Sequence, residues 1–150
     1  MSDGSRHALL CIALMDGDDA TALSIVRGGV DVNGEWDFTH LQMASEYGRV
    51  AVVSCLLELG ADVEKAALDS WTALGIAAYK GHQEVVELLV EVGNAQLNKQ
   101  ACSGETALHC IACSPVKNCP SIVILLIELC IPHLNQQLNH FLVPIVYSVS

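Results

Sequence analysis

The feature that most constrains this chain is a segment that recurs about every 33 residues. Its best-formed copy is WTALGIAAYKGHQEVVELLVEVG, which runs from Trp71 to Gly93. Thr72 is a good N-cap residue for a first helix, and Gly81 favours ending that helix because glycine adopts the left-handed conformation without a Cβ clash. A second helix is predicted to follow and to end at Gly93, with an apolar stripe formed by Val85, Val86, Leu88, Leu89 and Val92. Two such short helices cannot bury their apolar faces alone, so the segment needs neighbouring copies.

Neighbouring copies are present on both sides of this segment. Thr39 opens the copy THLQMASEYGRVAVVSCLLELG, and Thr106 opens another at TALHCIA. Upstream, ALLCIALMDGDDATALSIVRGG aligns with them through an alanine and two glycines. Close stacking of helix pairs needs small residues, because added methyl groups overpack a tight contact. The aligned alanines are therefore predicted contact points: Ala13, Ala44, Ala77 and Ala112.

A period of 33 residues that opens with Thr-x-Leu and closes with Gly-Ala-Asp-Val resembles the ankyrin repeat family. Residues 106–109, Thr-Ala-Leu-His, come closest to the family's Thr-Pro-Leu-His, and no copy has the full motif. The resemblance implies an all-α solenoid of helix–turn–helix units joined by short β-hairpins, with about four repeats and a truncated fifth. The expected divisions are a polar lead at 1–7, an ankyrin repeat domain at 8–135 with repeats at about 8–35, 36–66, 67–100 and 101–135, and the start of a fifth repeat at 136–150.

The two ends of the repeat array are expected to differ in the polarity of their outer faces. The first repeat has a polar start, which suits a terminal repeat whose outer face meets water. The sequence FLVPIVYSVS, by contrast, stops inside what should be the first helix of the fifth repeat and leaves an apolar face uncovered. The chain is therefore expected to be a truncated isoform or a fragment of a longer ankyrin protein, able to self-associate through this uncapped end.

The charge of the chain restricts its partners. Its net charge is −10, and only seven residues are Lys or Arg. Nucleic acid and anionic membranes are unfavourable partners because phosphate binding needs a clustered basic face. A protein with a basic or apolar surface is the natural complement. The first residues, MSDGSRH, lack the apolar stretch of a secretory signal, so a cytoplasmic location is expected, with the nucleus as the alternative.

No sequence pattern points to catalysis, a cofactor or a metal. The phosphate-binding, dinucleotide-binding, zinc-protease and hydrolase motifs are all missing, so we expect a protein that is not an enzyme. Cysteines cluster in the fourth repeat at Cys102, Cys110, Cys113 and Cys119, beside His109. Because this cluster lacks a second C-x-x-C pair, free thiols are favoured over a zinc site. Zinc remains the weaker alternative.

The aromatic residues indicate a binding surface. Five of the seven lie between Trp36 and Tyr79. Proteins that resemble this family usually hold their targets at the hairpin tips and on the exposed side of the first helix. The predicted partner-binding residues at these places are Trp36, Asp37, Phe38, Glu46, Tyr47, Asp69, Trp71, Tyr79 and Lys80. The alternative is that Trp71 and Phe38 only pack against the adjoining hairpins.

Two functions are compatible with this pattern. The first is a non-catalytic protein–protein interaction module that binds a partner protein or peptide in its concave groove. The second is the substrate-recruiting or partner-recruiting part of a larger enzyme assembly, such as a ubiquitin ligase or kinase, whose catalytic domain is absent from this chain. Both use the same surface, so the sequence leaves the choice open.

Overall fold

The described part of the chain is built from three consecutive helix pairs. A computed structural model of the protein describes residues 2–34, 36–66 and 71–95, together with Ile122, Ile124 and Leu125. First helices contact first helices and second helices contact second helices along the array, which confirms the predicted all-α solenoid. The helices in these residues are α1 (Asp3–Asp16), α2 (Asp19–Arg27), α3 (His40–Glu46), α4 (Val50–Glu58), α5 (Ala73–Lys80) and α6 (Gln83–Glu91).

Helix α1 starts earlier than the sequence suggested. It begins at Asp3 and is capped by the side chain of Ser2, so residues 3–7, expected as a polar lead, are helical. The guanidinium of Arg6 donates to the backbone carbonyl of Gly29 at 3.3 Å. His7 contacts α3, as described below. Arg6 and His7 therefore pack against other segments, whereas Asp3, Gly4 and Ser5 are exposed.

The predicted helix signals are confirmed in all three pairs. Thr39 and Thr72 are the N-caps of α3 and α5, and each side chain accepts a backbone N–H three residues on. Gly17, Gly48 and Gly81 follow the first helices with φ of 81°, 66° and 80°. A side chain is disfavoured at such positive φ, which is why glycine recurs there.

The connections between repeats are β-turns held together by one side chain. The amide of Gly34 donates to the Asp31 carbonyl, and that of Lys65 donates to the Asp62 carbonyl, both at 3.3 Å. The side chain of Asn33 bridges the two turns, because it accepts from the Asp62 amide at 2.7 Å and donates to the Gly60 carbonyl at 3.1 Å. The predicted hairpins thus have their turns, but none of the described residues lies in a strand.

The core is built mainly from Leu, Val and Ala, to which every helix contributes. The aligned alanines Ala13, Ala44 and Ala77 are all buried, as predicted, and Ala112 lies outside the described residues. The sequence predicts that Val92 belongs to the apolar stripe of the second helix. In the structure α6 ends at Glu91, and Val92 is 58% exposed.

Gly93 is needed for space rather than for its backbone conformation. The left-handed residue at the end of α6 is Asn94, with φ of 52°. A Cβ on Gly93 would lie 2.8 Å from the Leu89 carbonyl oxygen and 2.9 Å from Cγ2 of Val63. The turn after α6 therefore approaches the preceding repeat closely.

The start of α3 gives the first testable prediction. The Thr39 hydroxyl accepts from the Gln42 amide at 3.1 Å, and the Gln42 side chain accepts from the Thr39 amide at 2.8 Å. Thr39→Ala breaks this reciprocal cap in a buried place, so the free energy of unfolding should fall by about 1–2 kcal/mol. Urea unfolding measures it. Thr39→Ser keeps the hydroxyl and is the control; equal losses in both variants would contradict the capping role.

Candidate protein-interaction surface

The centre of the predicted surface is an aromatic pair. Trp71 immediately precedes the N-cap of α5, and Tyr79 lies in its last turn. Their rings meet edge to face, with centroids 5.6 Å apart and an interplanar angle of 89°. The side-chain amide of Gln42 donates to the Trp71 carbonyl, which ties this aromatic pair to α3. Both rings are half-buried, so each keeps surface for a ligand while packing holds it in place.

A charged pair adjoins the aromatic pair. The ammonium of Lys80, next to Tyr79, lies 3.4 Å from a carboxylate oxygen of Glu46 at the end of α3. Both side chains are exposed to a similar degree, so the pair adds little to stability by itself. Its position joins the C-terminal ends of two first helices, where Lys80 also suits the helix dipole. Two predicted contact residues from different repeats are thus brought together.

The second group of predicted residues surrounds a depression of about 420 Å³ at the other edge of α3. Asp37 and Phe38 are exposed there, whereas Trp36 is half-buried. The indole of Trp36 stacks on the His7 ring, with centroids 4.1 Å apart and only 6° between the planes. Its Nε1 is buried and has no hydrogen-bond partner among the described residues. Much of Trp36 therefore serves the contact between the first two repeats, and Phe38 and Asp37 are the open part of the group.

The remaining predicted positions divide between the core and the part of the chain that is not described. Tyr47 follows α3 as its C-cap, and its half-buried side chain packs against the core. Less of its ring faces outward than the sequence suggested. Asp69 lies outside the described residues, as does the cysteine cluster of the fourth repeat.

A histidine pair beneath Trp36 was missed by the sequence prediction. Nδ1 of His7 on α1 lies 2.8 Å from Nε2 of His40 on α3, and His40 is fully buried. Burial, followed by repulsion from His7, lowers the pKa of His40 to about 4. Burial also lowers the pKa of His7, against the opposing charge of Asp37. Both rings are therefore neutral at pH 7, and one ring nitrogen donates to the other.

The thiol of Cys11 completes this contact between repeats. Its Sγ lies 3.6 Å from Nε2 of His7, and burial raises the pKa of the thiol. A raised thiol pKa disfavours the reactive thiolate, so this Cys–His contact lacks the properties of an activated nucleophile. No signal in the sequence marked this cluster, because the first two repeats are offset by 31 residues and His7 and His40 therefore stand at different positions of the repeat.

A recurring polar contact ties each repeat to the one before it. Arg49, just before α4, donates through Nε to the Leu14 carbonyl at 3.1 Å. His82, just before α6, donates through Nε2 to the Glu46 carbonyl at 2.8 Å. Both acceptors lie in the last turn of the preceding first helix, where carbonyls have no partner inside the helix. Beside His82 is a depression of about 550 Å³ that contains none of the predicted binding residues.

The described residues contain neither a metal-binding cluster nor a membrane-spanning helix. No group of three or more histidine, cysteine or acidic residues among them is arranged to hold a metal ion. None of the helices in those residues has the length and apolar character needed to cross a membrane. Cys11 and Cys55 are free thiols.

Comparison with known proteins identifies the family. Residues 64–139 match the family described as ankyrin repeats (3 copies). Rabankyrin-5 is 29% identical over 121 residues in Mus musculus and 30% identical over 121 residues in Homo sapiens, covering 71% of this chain and 10% of each relative. Ankyrin repeat domain-containing protein SAT10 from Stachybotrys chartarum is 34% identical over 102 residues, which cover 67% of this chain and 5% of the relative. The chain thus spans a tenth or less of the length of these relatives.

The family match over half of the chain agrees with the stacked helix pairs, the threonine caps and the left-handed glycines, and it shows that this chain belongs to the ankyrin repeat family.

Proposed function

We propose that this chain is a non-catalytic module that binds a partner protein or peptide on the concave side of its repeats, centred on Trp71 and Tyr79. Ankyrin repeats generally mediate protein–protein interaction, and the aromatic pair is the observation that supports this particular site. The ring of Tyr79 is buttressed by Trp71, and Trp71 is fixed through its backbone to Gln42. Such rigid aromatics bind at low cost in conformational entropy, and Trp and Tyr are common binding hot spots.

The charges around the aromatic pair support a partner with basic and apolar groups. Asp37 is exposed and takes part in no ion pair among the described residues. Among the described residues Glu46 forms an ion pair only with Lys80, so a competing cation from a partner gains the Glu46 carboxylate at little cost. Together with the net charge of −10, these groups favour approach by a basic surface. Phe38 and Met43 offer apolar contact at the neighbouring depression.

The double variant Trp71→Ala, Tyr79→Ala tests the proposal. Two hot-spot aromatics are worth at least about 2 kcal/mol together, so affinity for the partner should fall by at least about 30-fold. A partner captured from cytosol by the wild type is first identified and purified, and its affinity for each variant is then measured by titration. The helical circular dichroism should change little, since both side chains keep part of their surface exposed and neither backbone cap is altered.

The matched control is Leu59→Ala, Val92→Ala. These two apolar residues are exposed after the second helices, away from the aromatic pair in the register of the repeats. Affinity should be unchanged in this variant. Full binding by the Trp71, Tyr79 double variant with an intact circular dichroism spectrum would overturn the proposed site, and an equal loss in both variants would show that general stability, rather than the aromatic pair, controls binding.

A further inference from the structure

The outer side of helix α1 carries an exposed apolar row. Leu9, Ile12 and Met15 are spaced three residues apart and are 43%, 54% and 56% exposed. Residues at this spacing lie along one side of a helix. We call these three residues the α1 stripe. The first repeat was expected to have a polar outer face, and the α1 stripe departs from that expectation.

The register of the repeats shows what normally covers this side. The positions equivalent to the α1 stripe are His40, Met43 and Glu46 in α3 and Ala73, Ile76 and Tyr79 in α5. None of these six is exposed. His40 and Ala73 are buried, and His40 is covered by His7 of the preceding repeat. The α1 stripe is therefore the surface against which a preceding helix would pack.

Helix α2, in contrast, has a polar outer side. Thr21 and Ser24 are exposed at the positions that Val52 and Cys55 occupy as buried residues in α4. A preceding repeat would bury the outer sides of α1 and α2 together. It would therefore remove water from the hydroxyl groups of Thr21 and Ser24, which is unfavourable. Only the α1 half of this end is apolar, so its shape and chemistry suit one added helix rather than a helix pair.

The charges beside the α1 stripe select the kind of helix. Asp3 lies at the start of α1, and Asp16 and Asp18 lie at its end, all exposed. Arg6, the one basic residue of α1, is turned towards the Gly29 carbonyl. A second copy of α1 would bring acidic residues against acidic residues, and three side chains offer far less area than the roughly 1,200 Å² of a stable dimer. A basic helix is the complement.

We propose that the α1 stripe is a second docking surface, which binds a single basic amphipathic helix from a partner protein. Leucine-type side chains of that helix contact Leu9, Ile12 and Met15, and its Lys or Arg residues approach Asp3 and Asp16. Met15 is in register with Glu46 and Tyr79, so this surface begins at the N-terminal edge of the proposed groove and continues away from it. It uses different residues from the aromatic pair and does not depend on that site.

The test uses the full chain and a synthetic amphipathic peptide of about 18 residues, with leucines on one helical side and lysines on the other. Binding is followed by fluorescence anisotropy. The triple variant Leu9→Gln, Ile12→Gln, Met15→Gln should bind at least about ten-fold more weakly, because it removes three apolar contacts. The matched variant Leu59→Gln, Val92→Gln changes equally exposed apolar residues elsewhere and should bind as the wild type does.

Further controls separate this proposal from its alternatives. A peptide of the same composition with scrambled leucines should lose most of its affinity; equal binding would show attraction by charge alone and overturn the proposal. It is also overturned if the triple variant binds like the wild type, or if the wild type forms a dimer that the triple variant does not form. Trp71→Ala, Tyr79→Ala should leave binding of this peptide unchanged, so failure here is distinguishable from failure of the proposed groove.

Discussion

Replacing Leu56 with alanine is expected to lower the free energy of unfolding by about 2–5 kcal/mol. Leu56 has no exposed surface, and its helix α4 packs between α2 and α6. The substitution leaves a cavity between successive second helices, and the rigid repeats on either side limit its collapse. In an array where each repeat contacts only its neighbours, a cavity in the middle pair weakens two interfaces at once. Urea unfolding followed by circular dichroism measures the loss.

Leu59→Ala is the control for this prediction. Leu59 is in the same segment but lies just beyond the end of α4 and is 49% exposed. Its substitution should change the free energy of unfolding by less than about 1 kcal/mol. The two variants differ in burial and share the same chemical change. Equal effects of the two substitutions would mean that the second helices do not stack as described.

The repeated architecture could be predicted because its signals are local. Thr39 and Thr72 act through backbone amides three residues away, and Gly17 and Gly81 act through their own φ angles. Such features need no knowledge of distant contacts. Their recurrence at one period then implies stacking, because a single pair leaves apolar surface uncovered.

The errors arose where a position depends on its neighbour in space. Val92 continues the apolar pattern of α6, yet the helix ends one residue before it and the side chain turns to solvent. Residues 3–7 look like a polar lead, but they are helical because α1 extends far enough to place Arg6 and His7 against other segments. Periodicity identifies a helix more reliably than it identifies the ends of that helix.

The candidate surface, like the fold, was predictable where it depends on the repeat register and not where it depends on contacts between repeats. Trp71 and Tyr79 stand at the two ends of one short helix, so the register predicts that both belong to the groove, whereas their edge-to-face contact is seen only in the structure. Trp36 belongs to a connection whose length differs from the others, and its stacking partner His7 is in another repeat. The register could not reveal that contact. Its consequence is that the first two repeats share a buried polar cluster instead of a purely apolar interface.

That polar cluster makes the stability of the protein depend on pH. His40 is fully buried. The charged and titratable groups that act on His40 are His7 from α1 and Asp31 from the connection between α2 and α3, and Asp37 from the same connection acts on His7. Burial and the His7 ring outweigh the Asp31 carboxylate and a hydrogen bond with the Asp31 backbone, so the pKa of His40 falls from 6.5 to about 4. The pKa of His7 is lowered in the same direction.

We expect the free energy of unfolding to fall by about 2 kcal/mol between pH 7.5 and pH 5 because of His40. In this interval the unfolded chain binds a proton at His40, with a pKa near 6.5, whereas the folded chain does not until about pH 4. The unfolded state binds more protons, so stability is fully present above pH 6.5 and is lost progressively as the pH falls towards 4. His7 adds to the effect with the same sign. Urea unfolding at a series of pH values measures it.

The variant His40→Gln isolates this contribution. Glutamine does not titrate, so the fall in the free energy of unfolding between pH 7.5 and 5 should be smaller by about 2 kcal/mol than in the wild type, whatever the stability of the variant at neutral pH. Other titrating groups are common to both proteins, so their contributions cancel in this difference. His7→Gln should also flatten the curve, but less, because it removes one titrating group and relieves the repulsion that lowers the pKa of His40. Parallel curves for wild type and His40→Gln would contradict the buried neutral histidine pair, and with it the first contact between repeats.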